Sequence, residues 1–231
     1  MTETTILPAE QRRPRKRRAS AAPEGASPET LRAQGVRTRN AIVRVARKLL
    51  LEGGPLEFSL RAVALRAGIS VSNLQYYFPS RPAVLRAVME PEMGMYLDAL
   101  KHALESSESP LEAHEAILKR AISDARNTKY VALWRHFLSF ASTDPECAKL
   151  IDGWYDTLTQ ELARLIRTIN PKYDVAESLH VAALLIAMAD GLTLQLGTMG
   201  RKHSYLDGLE ERFLSFANAV VLGKVPGPSK R

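Results

Sequence analysis

Beyond Arg37 the apolar residues of this chain recur at intervals of three and four, and no stretch alternates convincingly in the two-residue manner of a strand. That period belongs to helices with one buried face, so the chain is predicted to be all-α. Ile42, Val45, Ala46, Leu49 and Leu50 form the first stripe, and Gly53, Gly54 and Pro55 terminate it. Ser59 is placed to cap a short second helix ending at Gly68, Ser70 a third running to about Tyr77, and Ser80 a fourth beginning near Pro82. Ser109, Pro110, Leu111 and Glu112 read as a capping box opening a helix to about Arg126. Tyr130, Leu133, Trp134, Phe137, Leu138 and Ala141 mark the next helix, and Asp144 with Pro145 starts a long one that ends at Asn170 and Pro171. Asp174 and Glu177 cap another, apolar nearly all round from Leu179 to Ala189 and therefore expected to be buried on two sides. A last helix is predicted from Ser204, presenting Leu206, Leu209, Phe213, Phe216, Ala217 and Val220 on one face. The expectation is about nine helices, three short and six longer, without an internal repeat.

Charge divides the chain. The net charge is +7 over 231 residues, but residues 37 to 90 carry nine basic against three acidic side chains, whereas residues 91 to 231 carry sixteen against eighteen. A small basic module preceding a larger, nearly neutral one points to a polyanionic partner for the first, either nucleic acid or an anionic surface. Residues 1–36, rich in Pro, Ala, Ser, Glu and Arg, are expected to be a disordered basic tail. Their run Arg12, Arg13, Arg15, Lys16, Arg17, Arg18 reads as a solvated tail in preference to an arm for phosphates. The remaining divisions are a head over 37–80, a body over 81–222 and a flexible end over 223–231. The longest apolar run, Val181 to Ala189, stops at Asp190, short of the ~20 residues of a membrane span, and no apolar segment follows the N-terminal charges as in a secretory signal. A cytoplasmic protein with no membrane partner is expected. The single cysteine, Cys147, can form neither an internal disulfide nor a thiolate cluster, and no cofactor is expected.

Ser59 to Phe78 has the anatomy of a helix-turn-helix. Ala64 is small where two helices would cross, Gly68 supplies the positive φ of a tight turn, and Val63, Ile69 and Leu74 are spaced to close a small core on the first helix. Val71, Ser72, Asn73, Gln75 and Tyr76 then point outward. Asn73 and Gln75 suit bidentate contact with adenine, and Arg61 a guanine or a phosphate. The continuation Gln75-Tyr76-Tyr77-Phe78-Pro79-Ser80-Arg81 into a capped fourth helix, together with the Gly-Gly end of the first, resembles the TetR family of transcriptional regulators over residues 37 to about 90. The resemblance implies that the helix from Ser70 to Tyr77 lies in the major groove of double-stranded DNA. Ser72, Asn73 and Gln75 would then touch bases, Tyr76, Tyr77 and Arg81 would hold the backbone, and Arg61 would face the groove. The expected contact set is thus Arg61, Ser70, Val71, Ser72, Asn73, Gln75, Tyr76, Tyr77 and Arg81. Gln75 stands where the family often has an aromatic residue and Tyr77 where it often has histidine, and Pro82 beside Arg81 is also less usual.

The later helices resemble the family's ligand-binding and dimerisation domain, in particular the betaine-regulator type. The residues that carry this are Trp134 and Phe137, Asp144-Pro145-Glu146, and Ala189-Asp190-Gly191-Leu192. The implied homodimer uses the last two long helices, with Leu184, Met188, Leu192, Leu209, Phe213, Phe216 and Val220 at the interface, and spaces two heads about 34–36 Å apart on a palindromic operator. A pocket for a small-molecule effector of unknown identity is expected between the fourth and eighth helices, lined by Met93, Tyr96, Leu100, Tyr130, Trp134, Phe137, Trp154, Tyr155 and Met188. Two Trp and two Tyr there could hold a cation. The overall expectation is a repressor released by its effector. Pro91, in the middle of the fourth helix, should kink or break it, either as a joint that transmits ligand binding or as a static boundary.

Two other readings stay open: a helix-turn-helix protein whose body only assembles it, and, with less support, an all-α enzyme. His102, His114, His136, His180 and His203 form no HExxH, Glu177 and His180 make one Glu-x-x-His where a di-iron bundle needs two, and no phosphate loop, dinucleotide fingerprint or Gly-x-Ser-x-Gly is present.

Overall fold

A computed structural model describes residues 28–105, 109–196 and 203–225. The described residues contain nine α-helices, one short 3-10 turn and no strand. In order the helices are α1 (Pro28–Glu57), α2 (Leu60–Ala67), α3 (Val71–Tyr77), α4 (Arg81–Glu105), α5 (Pro110–Arg126), α6 (Thr128–Ala141), α7 (Pro145–Ile169), α8 (Val175–Leu196) and α9 (Leu209–Val221). The all-α class is as the periodicity predicts.

The chain divides into a unit up to Thr38 and a unit from Arg39 onward. The first is helical from Pro28, with the Thr38 hydroxyl donating to the Gln34 carbonyl at 3.0 Å. This corrects the expectation of a disordered tail to residue 36: Pro28 and Glu29 suit a first helical turn, and good helix formers follow without needing an apolar stripe. The basic run Arg12 to Arg18 and residues 226–231 lie outside the described residues.

The second unit contains the head and the body. Most helix starts are made as the sequence dictates. The side-chain oxygens of Ser59, Ser70 and Ser80 accept from the N–H groups of Ala62, Asn73 and Ala83 at 3.1, 3.1 and 3.3 Å, and Asp174 accepts from Glu177 at 2.8 Å. Asp144 accepts from both Glu146 and Cys147. Three expectations need correction. Ser109 precedes Pro110 at the start of α5 but makes no side-chain cap bond, so the capping box is not formed. The last helix begins at Leu209 and not at Ser204, because Gly208 takes a left-handed conformation (φ 75°) that separates a 3-10 turn over Ser204–Leu206 from α9. Helix α4 continues through Pro91, so of the kink or break expected there the break is not made. In the flanking turns Ala87, Val88, Met89 and Met93 are buried, and Glu92 beside the proline accepts from Arg47 of α1 at 3.0 Å. Gly54 marks the end of the regular part of α1, with φ 62° and ψ −164°.

Two apolar clusters hold the fold. One joins Ile42, Leu50, Phe58, Val63, Leu74 and Phe78 of the head to Val84, Met89, Leu133, Trp134, Phe137 and Phe140, so no gap in the core separates residues 37–80 from the body. The other gathers the second half of α4 with α5, α7, α8 and α9 around Leu100, Leu118, Leu162, Leu185 and Phe213. His114 of α5 is fully buried, and neither ring nitrogen has a partner among the described residues. Burial lowers its pKa from 6.5 to about 4, against a smaller opposing effect of Glu115. A depressed histidine contributes stability present above its unfolded pKa and lost as pH falls through the folded one. The protein should therefore lose on the order of 3 kcal/mol between about pH 6.5 and pH 4 from this group alone. His114→Leu should remove that part of the pH dependence in melting experiments, and an unchanged acid profile would refute the assignment.

Candidate DNA-binding face and effector cavity

The two helices of the helix-turn-helix pack as their sequence requires. Val63 and Ala64 of α2 and Leu74 of α3 are buried, and Gly68 between them has φ 70°. The turn closes with Gly68 N–H donating to Leu65 O at 3.2 Å and Ile69 N–H to Ala64 O at 3.1 Å. A Cβ at Gly68 would meet nothing within 4 Å, so its backbone conformation, and not lack of space, demands glycine there.

Helix α3 has one buried residue, Leu74, and this sets which side chains face out. Arg61, Ser70, Val71, Ser72, Asn73, Gln75 and Tyr76 are exposed, and Tyr77 is half-buried against Tyr76 in an edge-to-face pair with centroids 5.1 Å apart. Seven of the nine expected contact residues are thus exposed on α2, α3 and the turn between them, and Tyr77 and Arg81 are partly so. Two carry further roles. The Ser70 hydroxyl is engaged in capping α3, and Arg81, at the start of α4, is turned to the body, with its guanidinium 4.9 Å from the Phe140 ring centroid and 3.7 Å from Asp144 Oδ2. Arg39, which sequence reasoning did not single out, stacks on Phe78 at 5.1 Å. Its place among Arg37, Arg44, Arg47 and Lys48 on α1 was the available signal.

A cavity of about 80 Å³ lies between α4, α5, α6, α7 and α8. Of the nine residues expected to line it, Tyr96, Leu100, Tyr130, Trp134 and Trp154 do so, while Met93, Phe137, Tyr155 and Met188 do not. Helical register explains the division. On α7, Trp154, Leu158 and Leu162 share a face, which turns Tyr155 aside; on α8, Leu185, Ile186, Ala189, Asp190 and Thr193 share a face, which turns Met188 away. Phe137 and Met93 are buried in the cluster that includes the head, and the Met93 carbonyl accepts from Trp154 Nε1 at 3.3 Å. Ile117, Leu118 and Ala121 of α5 complete the wall. The aliphatic members were missed because an aliphatic residue facing a cavity has the same sequence pattern as one facing a core.

The polar groups gather at one end. Tyr155 donates to Asp190 Oδ2 at 2.6 Å, and Tyr96 donates to Asp124 Oδ2 at 2.8 Å, which Arg120 Nε also approaches at 2.8 Å. Burial raises the pKa of Asp190, and the bond from Tyr155 opposes that rise. Burial likewise pushes the Tyr96, Tyr130 and Tyr155 hydroxyls up, so all three remain protonated donors. Trp134 and Trp154 meet edge to face at 5.0 Å, and Trp154 meets Tyr155 at 4.9 Å. Such a site can bind a small, mainly apolar molecule and pair one cationic or hydrogen-donating group with Asp190. Among the described residues no cluster of His, Cys, Asp and Glu could hold a metal ion.

The residues expected to face a second copy divide in two. Leu184 and Phe216 are exposed, at 39% and 38%, and Met188 and Leu209 are partly so. Leu192, Phe213 and Val220 are instead buried in the chain's own core. On α9 the inward face is Phe213, Ala217, Val220 and Val221, which leaves Phe216 outside. Helix α8, expected to be buried on two sides, is covered by its own chain on one: Val181, Ala182 and Leu185 are inside while Ala183, Leu184 and Ala187 are exposed. By length and composition α8 is long and apolar enough to cross a membrane, and 22% of its most apolar stretch is buried within the chain. Counting uninterrupted apolar residues did not anticipate this, because Asp190 interrupts the run without lowering the average enough.

Comparison with known proteins agrees with both halves of this architecture. Residues 42–88 match the family model of the bacterial regulatory proteins of the tetR family, and residues 110–207 match that of the C-terminal part of BetI-type transcriptional repressors. The transcriptional regulator BetI of Rhizobium meliloti is 27% identical over 158 residues, spanning 68% of this chain and 76% of that regulator. Among solved structures, Salmonella enterica GusR superposes with a TM-score of 0.63 at 19% identity, over 81% of this chain and 95% of its own. A transcriptional regulator from Saccharomonospora viridis in complex with choline gives 0.61 at 21% identity, over 78% and 95%. The solved structures share the fold.

Proposed function

The chain belongs to the TetR family of DNA-binding transcriptional regulators, and on that footing we propose that it is a repressor that binds a palindromic operator as a homodimer and is released by a small-molecule effector. Ser72, Asn73 and Gln75 read bases, Tyr76, Tyr77 and Arg81 hold phosphates, and Arg61 faces the groove. The dimer forms on the outer side of α8 and α9, through Leu184, Met188, Leu209 and Phe216, whose apolar surface one chain leaves uncovered. Two heads then meet half-sites about 34–36 Å apart. The protein acts in the cytoplasm.

One observation carries the effector half of this reading. Trp134 lines the cavity and is also a member of the core cluster containing Leu74 of α3, and Trp154 packs against both clusters. A molecule that repacks the two tryptophans therefore acts on the same close-packed network that holds the reading helix. The aromatic wall and the buried Asp190 favour a cationic effector. Choline is bound by one structural neighbour and is the first compound to test. At a hundredfold excess over its Kd such a ligand stabilises by about 2.7 kcal/mol, or a rise of about 5–10 °C in melting temperature for a chain of this size, and should release bound DNA. A panel of quaternary ammonium compounds that shifts neither melting nor DNA release would refute the cationic effector.

A further inference from the structure

Arg81 sits where the two functions of the protein meet. It opens α4, just beyond α3, and the proposed function gives it a phosphate. In this structure, however, its guanidinium is held from the body. Phe140, near the end of α6, lies under it at 4.9 Å, and Asp144, the cap of α7, stands 3.7 Å away. Both holding groups are fixed. Asp144 Oδ1 accepts from Glu146 N at 3.0 Å and Cys147 N at 3.3 Å, leaving Oδ2 for the arginine, and Phe140 is buried edge-on to Phe58 at 5.7 Å. Arg81 itself is only partly sequestered, with 40% of its side chain exposed against 18% for Asp144, so it can exchange partners. The two holding groups also belong to the helices that form much of the cavity wall: α6 supplies Tyr130 and Trp134, and α7 supplies Trp154, Leu158 and Leu162.

We propose that Asp144 and Phe140 form a clamp that competes with a DNA phosphate for Arg81, so that the position of α6 and α7 sets how strongly the head binds DNA. A carboxylate and a phosphate are alternative partners for one guanidinium, and the aromatic face holds the planar cation beside the carboxylate. A shift of the α6–α7 corner toward the head strengthens the clamp and weakens DNA binding, and a shift away does the reverse. The inference rests on the phosphate role given to Arg81 above.

Asp144→Asn tests it cleanly, because asparagine caps a helix as well as aspartate does and only the charge is lost. The full chain would be titrated onto random-sequence duplex DNA at low and at physiological salt, with melting curves to confirm that α7 stays capped. The variant should bind about three- to tenfold tighter at low salt, with a salt dependence steeper by up to about one phosphate contact. Glu146→Gln removes the same charge from the same turn without touching Arg81, and should gain less than about twofold. In an Arg81→Ala background the gain from Asp144→Asn should vanish. Unchanged or weaker binding by Asp144→Asn, an equal gain from Glu146→Gln, or a gain that persists without Arg81 would each overturn the clamp while leaving the phosphate role standing. Undiminished binding by Arg81→Ala alone would overturn the phosphate role and the clamp with it.

Discussion

Leu74→Ala should destabilise the protein by about 2–5 kcal/mol and abolish sequence-specific DNA binding. Helix α3 is seven residues long, far too short to persist by itself, and Leu74 is the only residue it buries. With the following Phe78, this side chain sets both the depth and the rotation of the helix on the head. Removing its isobutyl end leaves a cavity in a cluster that extends through Val63 and Phe58 into α4 and α6, where little can collapse to fill it. A denaturation midpoint and a DNA affinity equal to those of the unaltered protein would show that α3 is held by something else.

Asn73→Ala and Gln75→Ala should each cost about 1–3 kcal/mol on the preferred DNA sequence and almost nothing on random duplex. Both side chains are exposed and make no hydrogen bond with the described residues, so truncation removes nothing from the folded protein itself. The loss on DNA is then attributable to base contacts. Tyr76 and Arg81 offer the contrast: altering either should weaken binding to all sequences together, since a phosphate contact carries no sequence information. Equal losses on specific and random DNA for Asn73→Ala would remove its base-reading role.

Local chemistry made the fold legible in advance. Ser59, Ser70, Ser80, Asp144 and Asp174 are polar residues just ahead of apolar stripes, and each caps the helix expected of it. Gly68 marks the turn because the left-handed backbone there is costly for other residues. The exposed face of α3 followed from the place of one leucine in a short helix. Features that depend on what lies across from a residue were not legible. Tyr155 and Trp154 are adjacent aromatics, and only the rotation of α7 decides that Trp154 lines the cavity while Tyr155 bonds Asp190. Phe213 and Phe216 look alike in sequence, yet one is core and the other surface, because α9 packs on α5 and α8 along the line of Phe213, Ala217 and Val220. The early start of α1 at Pro28 was missed since helix propensity acts there without an apolar face to reveal it. The partner of Arg81 was hidden for a different reason: Asp144 is distant in sequence and already has a complete local role as a cap.

The proposed repressor is a dimer that reads a specific DNA sequence with two α3 helices. The purified full chain should be used to select fragments from random-sequence duplex DNA, with the enriched fragments sequenced and the mass of the complex measured. The predicted result is a palindrome whose half-site centres lie about one helical turn, 34–36 Å, apart, bound by two copies of the chain for each palindrome. Selection that enriches no sequence, or a single unrepeated site bound by one copy, would contradict it.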